Sequence, residues 1–139
     1  MRIGNRFSIA VHILSLLGTF EGEDQTSEWM AGSIGVNPVI VRNVIGMLRR
    51  AGLVTTQQGA KGAHIARPLK KITLLDVFRA VETEDLFSSH PRPNPNCPVG
   101  AQIQTTLEDI YGRSQAAMEA ELKATTLDKV VKSFKVKAA

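Results

Sequence analysis

Residues 26–52 form two short amphipathic segments with well-marked ends and a glycine turn between them. A Thr-Ser pair that can cap a helix opens the first segment, which is predicted to run to about residue 33, and Gly35 then marks a tight turn. The second segment begins with Asn37 and Pro38, a capping side chain followed by a proline at the first helical position, and it ends before Gly52. Two short helices that meet at a glycine turn are the layout of a helix–turn–helix.

The stretch after the second helix predicts a β-hairpin. Residues 53–56 and 64–67 have the composition of short strands, and the glycine-rich sequence QQGAKGA at 57–63 joins them. This stretch lacks the glycine spacing and the following Ser or Thr of a phosphate-binding P-loop. An RNA-clamping GXXG loop joins two helices, whereas the flanks here favour strands. We therefore interpret the stretch as the tip of a hairpin wing, with Lys61 projecting outward.

The rest of the chain predicts helices around one proline-rich segment. A buried amphipathic helix is expected from Arg6 to about Gly18. Its apolar run is too short to span a bilayer, and no small-residue cleavage site of a signal peptide follows it. The expected fold class is mainly α with a small β-hairpin. It comprises a winged helix–turn–helix domain at 1–83, a Pro-rich linker or loop at 84–98, a long dimerisation helix at 99–124, and a short C-terminal helix and tail at 125–139.

The long helix carries more apolar surface than a small winged domain can cover. Its apolar side chains recur at three- and four-residue steps along one face, as in helices that pack against a partner helix. We expect a second copy of the chain to cover this stripe, which consists of Ile103, Leu107, Ile110, Tyr111, Met118 and Leu122.

The charges are distributed very unevenly, although the formal net charge is only +4. From Trp29 to Leu75, 47 residues, there is no Asp or Glu, and all 13 acidic residues lie outside this window. A solvated surface normally mixes both signs. The window holds seven cations on the second helix of the helix–turn–helix and on the segment that follows it: Arg42, Arg49, Arg50, Lys61, Arg67, Lys70 and Lys71. This pattern favours a double-stranded DNA face, with the helix in the major groove and the wing along the backbone or the minor groove.

The candidate DNA-binding residues follow from that placement. Several of them also have a purely structural interpretation. Arg42 could be a solvated arginine, Arg49 and Arg50 could simply complement the helix dipole, and His64 could be an ordinary strand residue. Trp29 and Tyr111 are expected in the core rather than as base-stacking platforms, since aromatic residues make up only 5% of the chain. The candidate set is Asn37, Pro38, Val39, Arg42, Asn43, Arg49, Arg50, Lys61 and His64.

Cys97 is the single cysteine, so no intrachain disulfide can form, and a reducing cytoplasm is the simplest location. Three interpretations are open. Cys97 could be an inert buried thiol, a redox-sensing thiol activated at a helix start, or part of an intersubunit metal site with His90. A thiol enzyme would need an orienting third group and a pocket that the sequence does not identify. No enzyme activity, no metal site and no membrane partner are expected.

The chain resembles the Rrf-two family of bacterial winged-helix transcriptional regulators, the family of IscR and CymR, and most resembles its YwnA-like members. The segments that carry the resemblance are 10–14 (AVHIL), 37–39 (NPV) with Arg42, 48–54 (LRRAGLV), 59–63 (GAKGA), 74–81 (LLDVFRAV) and 96–100 (NCPVG). The resemblance implies a homodimeric regulator, here expected to be a repressor, with paired long helices and a palindromic operator.

Cluster-binding members have three cysteines before the dimer helix, whereas this chain has one, so no iron–sulfur cofactor is expected and the effector is unknown. The alternative interpretation is a winged-helix interaction module whose basic face binds an acidic protein.

Overall fold

The computed structural model describes residues 4–56 and 62–136. These form a mainly helical fold with one small antiparallel hairpin, as predicted. The elements in chain order are α1 (Arg6–Thr19), α2 (Ser27–Ile34), α3 (Pro38–Arg50), β1 (Val54–Thr56), β2 (Ala63–Ile65), a 3-10 turn (Leu69–Lys71), α4 (Leu74–Val81), α5 (Ile103–Lys123) and α6 (Leu127–Ser133).

The core is built around α1, which packs against α3, α4 and α6. Ile13 and Leu14 of α1 are fully buried, as expected for a central amphipathic helix. They meet the apolar face of α3, where the fully buried Val41 and Leu48 lie about two turns apart. No single helix in residues 4–56 and 62–136 is long and apolar enough to cross a membrane; α2 and α3 pass such a test only as a bent pair.

Local capping interactions produce the helix–turn–helix. The Thr26 hydroxyl accepts a hydrogen bond from the backbone N–H of Trp29 at 3.1 Å and begins α2. Gly35 ends α2 with a left-handed backbone, φ 82°, and the chain direction turns by 105° before α3. The Asn37 carboxamide oxygen then accepts from the N–H of Val39 at 2.8 Å. The predicted caps are therefore confirmed.

The end of α3 leads directly into the wing. Gly52, at φ 78°, donates its N–H to the carbonyl of Arg49, and Leu53 donates to the carbonyl of Leu48, so two carbonyls in the last turn of α3 are satisfied. The strands then pair with Val54 opposite Ile65. The strands are shorter than predicted, and residues 57–61, with Lys61 among them, lie outside the described part of the chain.

The C-terminal elements return to the winged domain. The backbone N–H of Leu127 donates to the carbonyl of Ile72, and the N–H of Leu74 donates to the carbonyl of Thr125. Leu127 is fully buried in the core. The short helix α6 therefore fixes the carboxyl end of α5 to the start of α4.

The start of the long helix differs from the prediction. We expected helix from Val99, but α5 begins at Ile103, and the preceding residues form hydrogen-bonded turns. Cys97 donates its N–H to the carbonyl of Asn94, and Ala101 donates to the carbonyl of Cys97. A Cβ on Gly100 would meet the backbone oxygen of Asn94, so this turn is compact and ordered before the helix begins.

Gly62 anchors the wing to the loop before α2. Its backbone is left-handed, with φ 77°, and a Cβ at this position would meet the backbone oxygen and nitrogen of Gln25. Gln25 is itself buried, and its amide donates to the carbonyl of Leu16 at 3.2 Å. The hairpin can therefore approach this loop only with glycine at position 62.

We predict that Gly62→Ala lowers the free energy of unfolding by about 1–3 kcal/mol, because it adds backbone strain and a steric clash. The matched control is Gly32→Ala within α2, where an added Cβ meets nothing within 4 Å. The control should be neutral or stabilise by up to about 1 kcal/mol, since alanine is the better helix former. Chemical denaturation of the two variants measures both effects, and equal stabilities would contradict this account of Gly62.

Candidate nucleic-acid interface

The exposed face of α3 is the centre of the candidate site. Its opposite face is buried through Val41, Val44, Ile45 and Leu48. Successive residues are 100° apart around a helix, so four positions lie farthest from that buried face. We call these positions the outer ridge: Val39, Asn43, Gly46 and Arg50. Arg42 and Arg49 lie on the flank nearer the wing, and Ile40 and Met47 lie on the other flank. Candidate DNA-binding residues thus occupy both the ridge and its wing-side flank.

The first turn of α3 combines a structural role with an open polar end. The Asn37 oxygen is used to cap the N–H of Val39, and Pro38 occupies the first helical position. Both observations account for these residues structurally. The amide NH₂ of Asn37 is exposed on the same end, where the positive end of the helix dipole favours an anion such as a phosphate.

Arg42 is held by an acidic residue that the sequence interpretation did not include. Its Nη1 lies 3.4 Å from Oε1 of Glu28, the residue directly before the acid-free window. Both side chains are exposed, so this pair is weak and easily exchanged for another anion. Glu28 stands in the first turn of α2, where a carboxylate is favoured by the helix dipole. Its place in the first turn of a predicted helix is a signal from which Glu28 could have been predicted to lie near the start of α2.

The other two arginines of α3 have different surroundings. Nη1 of Arg49 donates to the hydroxyl of Thr56 at 3.4 Å and so joins α3 to β1. Arg50 is exposed, and its guanidinium lies beside Gly46. His64, predicted as a candidate, is half-buried in β2 opposite Thr55.

A groove runs between α3 and the base of the wing. Arg42 and Arg49 form one wall, and Thr56 and Gly62 lie on the other side. Ser27 at the start of α2 also lines the groove. The groove therefore brings two of the predicted cations next to the wing, in an arrangement that can accept an anionic backbone.

The aromatic residues do not all lie where the sequence suggested. Trp29 was expected in the core, but 49% of it is exposed, and its ring makes an edge contact with Phe20 at a centroid distance of 5.7 Å. Its position on the outer side of α2 explains the error, because helix periodicity alone does not fix which face of a short helix is covered. Tyr111 is half-buried and stacks on Phe87 at 4.8 Å.

Cys97 is exposed, so the expectation of a buried thiol is wrong. It lies in the turns before α5 rather than at the first turn of that helix. Hydrogen bonds from the backbone N–H groups of Gly100 and then Val99 lower the pKa of the Cys97 thiol below its ordinary value. The cause of this lower pKa is the turn itself and not the start of a helix, where the sequence interpretation had placed it.

Comparison with known proteins identifies relatives along nearly the whole chain. The profile of a family described as Rrf2, iron-dependent transcriptional regulator, matches residues 3–133. A Bacillus subtilis (strain 168) protein, YwnA, described as a proposed HTH-type transcriptional regulator, is 42% identical over 130 residues. The match covers 93% of this chain and 96% of YwnA.

Solved structures show the same fold. A crystal structure described as that of a proposed DNA-binding protein has 38% identity and a TM-score of 0.76, and the match covers 90% of this chain and 97% of that one. CymR of B. subtilis has 19% identity and a TM-score of 0.70, with 95% and 97% covered. IscR of T. potens has 19% identity and a TM-score of 0.72, with 100% and 94% covered. The last two comparisons establish the fold.

The iron named in the family description does not fit the donors of this protomer. The chain has one cysteine, and residues 4–56 and 62–136 contain no group of three or more His, Cys, Asp or Glu side chains that could hold a metal ion. An iron–sulfur cluster is held by four protein ligands, usually cysteine thiolates, and one exposed thiol does not supply such a set.

Four observations lead to one conclusion. They are the helix–turn–helix with its wing, the basic flank of α3, the profile match over 3–133 and the 42% identity to YwnA. The chain belongs to the Rrf2 family of DNA-binding transcriptional regulators.

Proposed function

We propose that the protein is a homodimeric repressor that binds a palindromic operator in double-stranded DNA. The observation that carries the proposal is the combination of an exposed α3 face with a basic groove between α3 and the wing. α3 would enter the major groove, and the cations beside it would contact phosphates. Repression requires only that the bound dimer occupy a promoter.

The second subunit is inferred from α5. This helix has 21 residues, about 31 Å in length, and none of them is buried. Ile110 is 41% exposed, and Ile103 and Leu107 on the same face are only half-covered. Apolar side chains at this spacing are normally covered by a partner helix. A second copy of α5, related by a two-fold axis, would cover both stripes at once.

Selection of bound sequences from a random duplex pool tests the function directly. We expect a motif with two-fold symmetry whose half-sites are separated by about one helical turn or a multiple of it. Binding to an acidic protein with no duplex selected would favour the interaction-module alternative. Affinity for random duplex that falls steeply with salt separates the two, because phosphate binding releases counterions.

We predict that Arg42→Ala weakens selected sites more than random ones, because Arg42 lies beside the base-facing ridge. Lys61→Ala, at a position outside the described residues, should weaken both alike and reduce the salt slope by about one. Glu28→Gln is the matched control: it releases Arg42 and removes a nearby negative charge, so affinity should rise. DNA-binding titrations over a salt series measure the affinities of all three variants. Unchanged binding by the two cation variants would contradict the proposal that this face of the protein binds DNA.

We predict that Leu107→Glu abolishes the dimer and DNA binding, since it would bury an unpaired carboxylate at a cost of several kcal/mol. Thr105→Glu on the opposite, exposed side of α5 is the control and should remain dimeric. Sedimentation velocity and circular dichroism distinguish a folded monomer from a misfolded chain. A dimeric Leu107→Glu protein would show that the stripe is not the interface.

We further propose that Cys97 is a reactive thiol whose oxidation weakens DNA binding. Because backbone N–H groups lower its pKa, a larger thiolate fraction exists near neutral pH than in the unfolded chain. Alkylation at pH 7 should therefore be faster for the native protein than for the denatured protein. DNA affinity should fall after mild peroxide treatment in the native chain and stay constant in Cys97→Ser. Equal alkylation rates, or equal losses in both proteins, would refute the thiol switch.

A further inference from the structure

Gly46 stands in the middle of the recognition helix without a structural reason inside the protomer. It has no positive φ, and a Cβ there would touch only the guanidinium of Arg50, at 3.4 Å from Nη1. That contact is with the far end of a flexible side chain, which can move. Glycine in a helix interior weakens the helix relative to alanine. Gly46 lies on the exposed side of α3 and also lines the groove beside the wing, so its bare backbone leaves room for close approach by a surface from outside.

Val39 is an apolar side chain on the same ridge. It is 52% exposed, although the first turn of a surface helix normally carries polar residues on that side. Its backbone N–H is already used by the Asn37 cap, so only the two methyl groups of its side chain remain to contact a partner. In the major groove, the apolar group that such a side chain meets is the C5-methyl of thymine.

Asn43 lies one helical turn beyond Val39, on the ridge between Val39 and Gly46, and it is exposed. Residues four apart on a helix are neighbours, about 5–6 Å between Cβ atoms. An asparagine amide matches the major-groove edge of adenine, since its NH₂ donates to N7 and its oxygen accepts from the N6 amino group. Val39 and Asn43 can thus reach the same or adjacent base pairs.

We infer that the outer ridge reads an A·T pair in each half-site, with Val39 against a thymine methyl, Asn43 on an adenine, and Gly46 at the point of closest approach. This inference rests on the proposed function, because it requires α3 in the major groove. It adds these ridge positions to the base-reading role proposed for Arg42 and leaves phosphate contact to the other cations beside α3.

Base analogues in the selected operator test each contact separately. Replacing the contacted thymine by uracil removes only the methyl group and should weaken native binding about three- to fivefold. Val39→Ala should lose this discrimination, whereas Ile40→Ala, an exposed apolar control on the flank, should retain it. Asn43→Ala should weaken binding about 5- to 100-fold and become insensitive to 7-deazaadenine while still discriminating against uracil.

Gly46→Ala supplies the third measurement. It should keep or raise the thermal stability of the protein and still weaken operator binding about 5- to 100-fold by overpacking the contact, a separation that a purely structural glycine would not give. If the random-pool selection yields no symmetric motif, the proposed function fails. If a motif is selected but native binding is indifferent to uracil at every thymine, or Gly46→Ala binds normally, the ridge assignment is overturned while the proposed function stands.

Discussion

The starts of α4 and α6 lie back to back, and the arrangement of the whole chain depends on this contact. Thr73 and Thr126 each cap a helix with a side-chain hydroxyl, and the two residues pair with each other through an antiparallel bridge. Leu127 then enters the core beside α1 and α3. This leucine and two backbone hydrogen bonds thus join α6, and with it the end of α5, to the core that also holds α3. Together with the direct packing of α5 on α4, this contact orients α5 relative to α3, and a two-fold axis through paired α5 helices would set the spacing of two α3 helices.

Much of the winged domain could be predicted because its signals are local. Asn37 and Pro38 start α3, Gly52 ends it, and Thr73 with Asp76 forms the reciprocal cap expected from their spacing. Each interaction joins residues within five positions of one another, so sequence order contains the necessary information. The start of α5 could not be predicted in this way. The turns around Cys97 and Gly100 pack on the backbone of Asn94, and helix periodicity does not report such packing.

The candidate site was only partly predictable for a related reason. The acid-free window identified which segment is basic, but not which partner each cation has. Arg42 pairs with Glu28 across fourteen residues, and Arg49 contacts Thr56 across a turn. Such pairs depend on how α2, α3 and β1 are placed in three dimensions. The same limit explains Trp29, since the core already formed by α1 and α3 leaves that side of α2 uncovered.

The absence of buried residues on α5 has a consequence for gene control. In the proposed dimer, the apolar stripe is covered only after two protomers meet, so assembly follows mass action. Below the dissociation constant of the dimer, the concentration of operator-competent species rises with the square of the protomer concentration. Modest changes in synthesis or turnover of the chain would then produce a threshold in promoter occupancy, without any small-molecule signal.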